Sequence, residues 1–207
     1  MSRLDIETLF ATPIAHSDLG DVALLKELEA AIWMVEEGDE AGKKWCEENH
    51  YDGYTSYASL DDLPRRASAF NTLKERLDDM AHSFADTLGW ELSQFGLRLD
   101  GLWVNILGEN GSHSGHIHPA SVISGTVYID MPASAGALKF EDPRLAMMQA
   151  APPLRSNLAD EKSRFVYRTP AAGAVLMWES WLRHEVMPHR NSAPRLTISF
   201  NYGLVEK

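Results

Sequence analysis

RLTISFNY, residues 195–202, alternates without a break between polar and apolar residues. Successive residues of a strand point to opposite faces, so Arg195, Thr197, Ser199 and Asn201 share one face and Leu196, Ile198, Phe200 and Tyr202 the other. The apolar face is suited to lie beneath helices. The polar face, headed by a guanidinium, suits the inside of a closed sheet that holds a ligand cavity rather than a dry core. An arginine inside such a cavity calls for a bidentate partner, most simply a carboxylate. The competing reading is a surface salt bridge at the start of a strand.

Working outward, the same short-strand texture reaches back to about Leu97. Arg98–Leu107, Ser121–Asp130, Ala137–Phe140, Phe165–Arg168 and Ala174–Trp178 read as strands separated by Gly and Pro, a spacing that indicates a sandwich or barrel rather than βαβ units. Residues 1–96 have a helical texture instead. In Val22–Met34, Leu24, Leu25, Leu28, Ala31 and Ile32 form one stripe, and Asp18 or Asp21 is placed to cap it. A longer run after Pro64 spaces Phe70, Leu73, Leu77, Met80, Ala81, Phe84 and Leu88 by three or four, with Gly89 at the position of a C-terminal cap. Between them Glu36–Asp62 reads as an irregular stretch, either filler or a functional flap. The expectation is a single domain over 1–207, with a helical part (1–96) packed on the outside of a β core (97–207).

Composition sets the outer limits. A 207-residue chain of 23.1 kDa buries roughly 70% of its extended surface on folding, enough for a core without staples. Hydrophobic residues at 44% and charged residues at 24% exclude a disordered or fibrous chain. A net charge of -11 repels phosphate backbones, so no nucleic-acid partner is expected. No apolar run is long enough to span a bilayer, and MSRLDIETLF does not read as a signal peptide. A lone cysteine, Cys46, excludes an internal disulfide and fits a reducing, cytoplasmic setting.

Three of the eight histidines fall in GSHSGHIHPAS: His113, His116 and His118. In an extended segment residues two apart share a face, so His116 and His118 can reach one ion. Imidazole suits iron, zinc, copper and nickel, and a further ligand is needed. His184, in WESWLRHEV after the apolar run AVLMW, is the best distant candidate. The plain alternative is a polar strand edge facing solvent. His16, His50, His82 and His189 show no partner spacing and read as surface groups, and Cys46 shows no sign of a nucleophile. Trp103, Trp178 and Trp181 are candidates for a substrate mouth, with core packing the favoured reading of each. Phe140–Arg144 reads as a turn held by an Asp–Arg pair.

Together, Gly111, His116, His118, His184 and the R-L-T of Arg195–Thr197 resemble the iron(II)- and 2-oxoglutarate-dependent oxygenases. The segments WVNI, HIHPxSxxSGxxY, FEDPR and WLRHEV, with LFATPI and YTSY more loosely, resemble a poorly characterised bacterial and phage branch of that superfamily. The resemblance implies a double-stranded β-helix, or jelly-roll, core. It implies iron(II) held by His116, His118 and His184, and 2-oxoglutarate whose distal carboxylate is bound by Arg195 with Thr197. Asn105 matches a position that in some relatives contacts the other carboxylate, and Tyr128 is a further cosubstrate candidate. For Asn105 a structural hydrogen bond beside Trp103 is the alternative, and for Tyr128 a core position with a satisfied hydroxyl. The implied activity is oxidative decarboxylation of 2-oxoglutarate with O2, ending in hydroxylation of an unidentified substrate.

One departure stands out. The usual pattern has a carboxylate where this chain has His118, and a neutral imidazole leaves the site one unit more positive, which shifts redox potential and metal preference. Glu109, Glu179 and Glu185 are in the neighbourhood, but Glu185 should face away from His184 in a shared strand, and His113 reads as a supporting or substrate-side group. Two other readings stay open: a three-histidine cupin-like metalloenzyme that does not use 2-oxoglutarate, and a non-catalytic jelly-roll ligand-binding module. Exposed strand edges leave room for a homodimer.

Overall fold

Asp21 starts the first helix as its spacing requires: its Oδ1 accepts the amide of Leu24 at 3.0 Å. A short strand, β1 (Ile14–Asp18), precedes it, and α1 (Val22–Gly38) then buries Leu24, Leu28, Ala31, Ile32 and Val35 on one stripe. The computed structural model describes residues 4–207, so residues 1–3 of the N-terminal decapeptide lie outside the described part.

The stretch Glu36–Asp62 is not irregular. After α1 come α2 (Glu40–Glu48) and β2 (Gly53–Thr55). Asp39, only 7% exposed, caps α2 through Gly42 and also accepts from the hydroxyls of Tyr54 and Ser59. The mostly acidic run Asp39–Asn49 is therefore a helix held by a buried carboxylate. Its sequence carries no long apolar stripe, since only Gly42 and Cys46 are buried. The helix expected after Pro64 is two pieces, α3 (Leu63–Arg66) and α4 (Ser68–Thr87), broken at Ala67, whose backbone is extended. Gly89 ends it at φ +73, where a side chain would be strained.

The remaining chain is β3 (Phe95–Leu107), β4 (His113–His116), β5 (Ile123–Asp130), β6 (Leu138–Glu141), β7 (Phe165–Arg168), β8 (Ala174–Glu179), β9 (His184–Val186) and β10 (Arg195–Glu206). They form two antiparallel sheets of order β1-β8-β5-β10-β3-β2 and β4-β9-β6-β7. This is the mainly β jelly-roll arrangement with helices on the outside of one sheet.

Alternation divides the large sheet into two faces. Leu102, Val104 and Ile106 of β3, Val127 of β5, Val175 and Met177 of β8 and Leu196, Ile198, Phe200 and Tyr202 of β10 pack under α1 and α4. Leu107, Tyr128, Leu176 and Trp178 point the other way and meet Leu138, Phe140, Leu182 and Val186 between the sheets. No helix among the described residues is long and apolar enough to cross a membrane.

Candidate active site

Strand pairing brings two of the three histidines together. β4 runs antiparallel to β9 with His116 directly opposite His184. β4 ends at His116, so His118 lies just past the strand rather than on its face. There its amide donates to Ser180 O at 3.0 Å, which turns the ring back toward the same point. One nitrogen from each of His116, His118 and His184 lies within 4.8 Å of the others. Ring centroids are 5.0 Å apart for His116 and His118, 4.4 Å for His116 and His184, and 5.3 Å for His118 and His184. Glu185 faces away, paired with Lys139 at 2.7 Å.

Two of these rings, His118 and His184, are poised as neutral ligands. Burial pulls His118 down to about 4, helped by His116. Burial also takes His184 down to about 3, despite the Leu182 carbonyl that its ring faces. Neutral imidazoles with open lone pairs are what a divalent metal requires.

Arg195 begins β10 on the face it shares with Thr197, which stands opposite Asn105. Arg195 is 1% exposed, and the one side-chain hydrogen bond it makes among the described residues runs from Nη1 to Thr197 Oγ1, at 3.4 Å. Among the described residues no carboxylate forms an ion pair with it. Its Nε, the Tyr128 hydroxyl and the Trp178 Nε1 are buried without partners. The guanidinium sits 5.4 Å from the centre of the Tyr128 ring. Burial lowers the pKa of Arg195 and pushes that of Tyr128 up to about 12, which keeps the phenol a proton donor at neutral pH. An unpaired buried cation with an orphaned hydroxyl on the neighbouring Tyr128 is able to receive an oxyanion. The reading of Tyr128 as a core residue with a satisfied hydroxyl fails on this point: the residue is core, but the hydroxyl is free.

Asn105 is buried, accepts from Thr55 Oγ1 at 2.9 Å and donates to Ser199 Oγ at 3.1 Å. It lines a cavity of about 280 Å³ together with the three histidines, Trp103, Trp178, Tyr51 and Tyr57. The aromatic candidates separate. Tyr57, 61% exposed, meets Trp103 edge-on at 5.1 Å, so Trp103 stands at the rim. Trp178 is 1% exposed and packs against His184 at 4.8 Å, whereas the exposed Trp181 is not part of the lining.

His113 stands outside the triad, with its Nε2 2.7 Å from the hydroxyl of Tyr51. Tyr51 and Thr55 went unrecognised in the sequence, because they reach the cavity only when β2 pairs with β3, Thr55 opposite Asn105. His189 corrects the surface reading. It is fully buried, its ring meets Ala193 O at 2.7 Å, and its amide donates to Gly111 O at 2.9 Å. It closes the end of the barrel where β10 begins. Arg144 and Asp142 form the expected turn, joined at 2.9 and 2.7 Å.

Residues 101–201 match the family described as "Putative 2OG-Fe(II) oxygenase". No curated protein matches the chain at a significant level. Among solved structures, a 2OG-Fe(II) oxygenase family oxidoreductase from Burkholderia pseudomallei is similar at 15% identity and TM-score 0.62, over 92% of this chain and 84% of that one. A prolyl-4-hydroxylase from Pseudomonas putida is similar at 14% identity and TM-score 0.60, over 93% and 92%. HygX from Streptomyces hygroscopicus, solved with nickel and 2-oxoglutarate bound, is similar at 15% identity and TM-score 0.61, over 93% and 82%.

Proposed function

Through residues 101–201 this chain belongs to the 2OG-Fe(II) oxygenase superfamily, and on that premise we propose that it is an iron(II)- and 2-oxoglutarate-dependent dioxygenase that hydroxylates a carbon–hydrogen bond of its substrate. Two features together carry the reading: three convergent imidazoles, and a buried guanidinium that no carboxylate among the described residues pairs. His116, His118 and His184 hold the iron. With 2-oxoglutarate and O2, iron(II) supplies the oxidising chemistry, in which the cosubstrate becomes succinate and CO2 while one oxygen atom enters the substrate.

The chain's own residues do the rest. Arg195, held in line by Thr197, takes the distal carboxylate, and the free Tyr128 hydroxyl adds a donor to it. Asn105 is held by Thr55 and Ser199 with its amide at the cavity wall, where it meets the cosubstrate's other end. Trp178 excludes water behind His184. Trp103 and Tyr57 shape the entrance for the prime substrate. The net charge of -11 argues against bulk nucleic acid as that substrate. The single buried thiol of Cys46 fits a reducing, cytoplasmic setting.

The iron(II)-loaded protein, kept free of O2, is expected to bind 2-oxoglutarate with a visible charge-transfer band and a calorimetric heat. No band and no heat would overturn cosubstrate use.

A further inference from the structure

The three histidines differ in what their Nδ1 meets. His116 Nδ1 meets the Ser114 carbonyl at 2.6 Å, and His184 Nδ1 meets the Leu182 carbonyl at 2.9 Å. A carbonyl can only accept, so both rings carry their proton on Nδ1 and keep the Nε2 lone pair for a metal. His118 has no such carbonyl. Its Nδ1 lies 3.1 Å from the carboxamide nitrogen of Asn201. Behind it, Asn201 Oδ1 accepts from the Ser124 hydroxyl at 2.8 Å, and that hydroxyl lies 2.8 Å from Ser180 Oγ. Register fixes this row, since Asn201 of β10 stands opposite Ser124 of β5.

A carboxamide offers a donor at one end and an acceptor at the other. With its nitrogen toward the ring, His118 Nδ1 accepts, and the ring proton sits on Nε2, where it blocks a metal. Turned by half a revolution, the amide accepts from Nδ1–H and donates to Ser124 Oγ, and the Ser124 proton turns to Ser180. The direction of the row reverses and Nε2 is freed. A carboxylate ligand has no tautomer to choose, so this control is needed only because an imidazole occupies the third position.

We propose that Asn201, backed by Ser124 and Ser180, is a positioning residue that selects the metal-binding tautomer of His118. The proposal rests on His118 being a ligand, and the experiment separates the two claims. Metal-free full-length protein is titrated with cobalt(II) and followed by its visible absorption, with His118→Ala, Asn201→Leu and Asn201→Asp beside the wild type. Asn201→Leu, which can accept nothing, is expected to weaken cobalt binding about ten- to a hundredfold. Asn201→Asp, a fixed acceptor, is expected to bind at least as tightly as the wild type. Nitrogen-15 spectra of the wild type should show His118 Nδ1 change from acceptor to protonated donor when zinc is added, a readout independent of whether any variant folds. The proposal is overturned if folded Asn201→Leu binds cobalt within twofold of the wild type, if Asn201→Asp is as weak as Asn201→Leu, or if Nδ1 stays unprotonated with zinc bound. Wild-type affinity in His118→Ala would instead remove the ligand reading itself.

Discussion

A buried guanidinium that no carboxylate among the described residues pairs is costly to hold, and Arg195 is the residue on which the proposed site turns. Replacing it with methionine removes the cation and keeps much of the volume. Two outcomes follow. The ligand-free fold should melt at the same temperature or higher, since an unpaired buried charge is lost. Affinity for 2-oxoglutarate should fall by roughly a hundredfold, about 3 kcal/mol. Melting curves with and without 2-oxoglutarate check both at once: the cosubstrate should raise the wild-type midpoint and leave that of Arg195→Met in place. A rise in the variant too would show that the carboxylate is held elsewhere. The histidines give the pH dependence. Burial holds His113 at about 4, with Arg195 and His116 adding, His118 at about 4 and His184 at about 3, against an ordinary value of 6.5. The unfolded chain therefore takes up these protons first, and the stability they contribute is full above pH 6.5 and drains away as pH falls toward 4. The carboxylates held low by hydrogen bonds, Asp39 and Asp142 among them, drain only below their ordinary 3.8. Urea midpoints of the metal-free protein should accordingly drop between pH 6.5 and 4. A flat profile there would contradict the burial argument.

At the scale of the element, Asp39 joins α2 to the wall of the site. It caps the helix through Gly42 and receives Tyr54 from β2, the strand that carries Thr55. Asp39→Ala removes a cap worth about 1 kcal/mol and leaves the Tyr54 hydroxyl without an acceptor, so a loss of roughly 2–4 kcal/mol is expected by denaturant titration. Asp39→Asn, which keeps a cap oxygen, should lose less. α2 also shows where sequence reading stopped. Elements with a sustained period were visible: the stripe of α1, and the alternation of β10, which placed Arg195, Thr197 and Asn201 inward. β4 and β9 were not visible. They span only His113–His116 and His184–Val186, too short for a period to register. Yet these two strands set the ligands opposite one another. The histidines were legible as chemistry, through their spacing and a family resemblance, while the strands that hold them exist only by pairing. Tyr51 and Thr55 were illegible for the same reason, because their place depends on β2 finding β3. The irregular reading of Glu36–Asp62 failed because α2 is held by a capping carboxylate more than by an apolar stripe.

At the scale of the molecule, the helical part and the β core share one apolar layer. α1 and α4 press Leu24, Leu28, Ile32, Phe70, Leu73, Leu77 and Phe84 onto the outer face of the large sheet, all at most 5% exposed. At about 1.5–3 kcal/mol for each buried side chain, that contact is worth roughly 10–20 kcal/mol as an upper bound, as much as the whole stability of a typical domain. Polar ties add direction to it: the Tyr202 hydroxyl donates to Asp78 at 2.8 Å, and Arg76 reaches Asp21 at 2.6 Å and the Leu19 carbonyl at 2.9 Å. We therefore expect the full chain to unfold in one cooperative transition, with circular dichroism and tryptophan fluorescence giving coincident curves. A fragment of residues 97–207 would keep all three histidines and Arg195 but expose Val104, Val127, Ile198 and Phe200. It would also free the β8 edge that β1 covers and lose the Tyr51 and Thr55 wall. It should aggregate or stay unfolded and bind no cobalt at concentrations that saturate the full chain. A monomeric fragment with a dispersed NMR spectrum and full-length cobalt affinity would show that the helices are an appendage, and that the site owes its geometry to the strands alone.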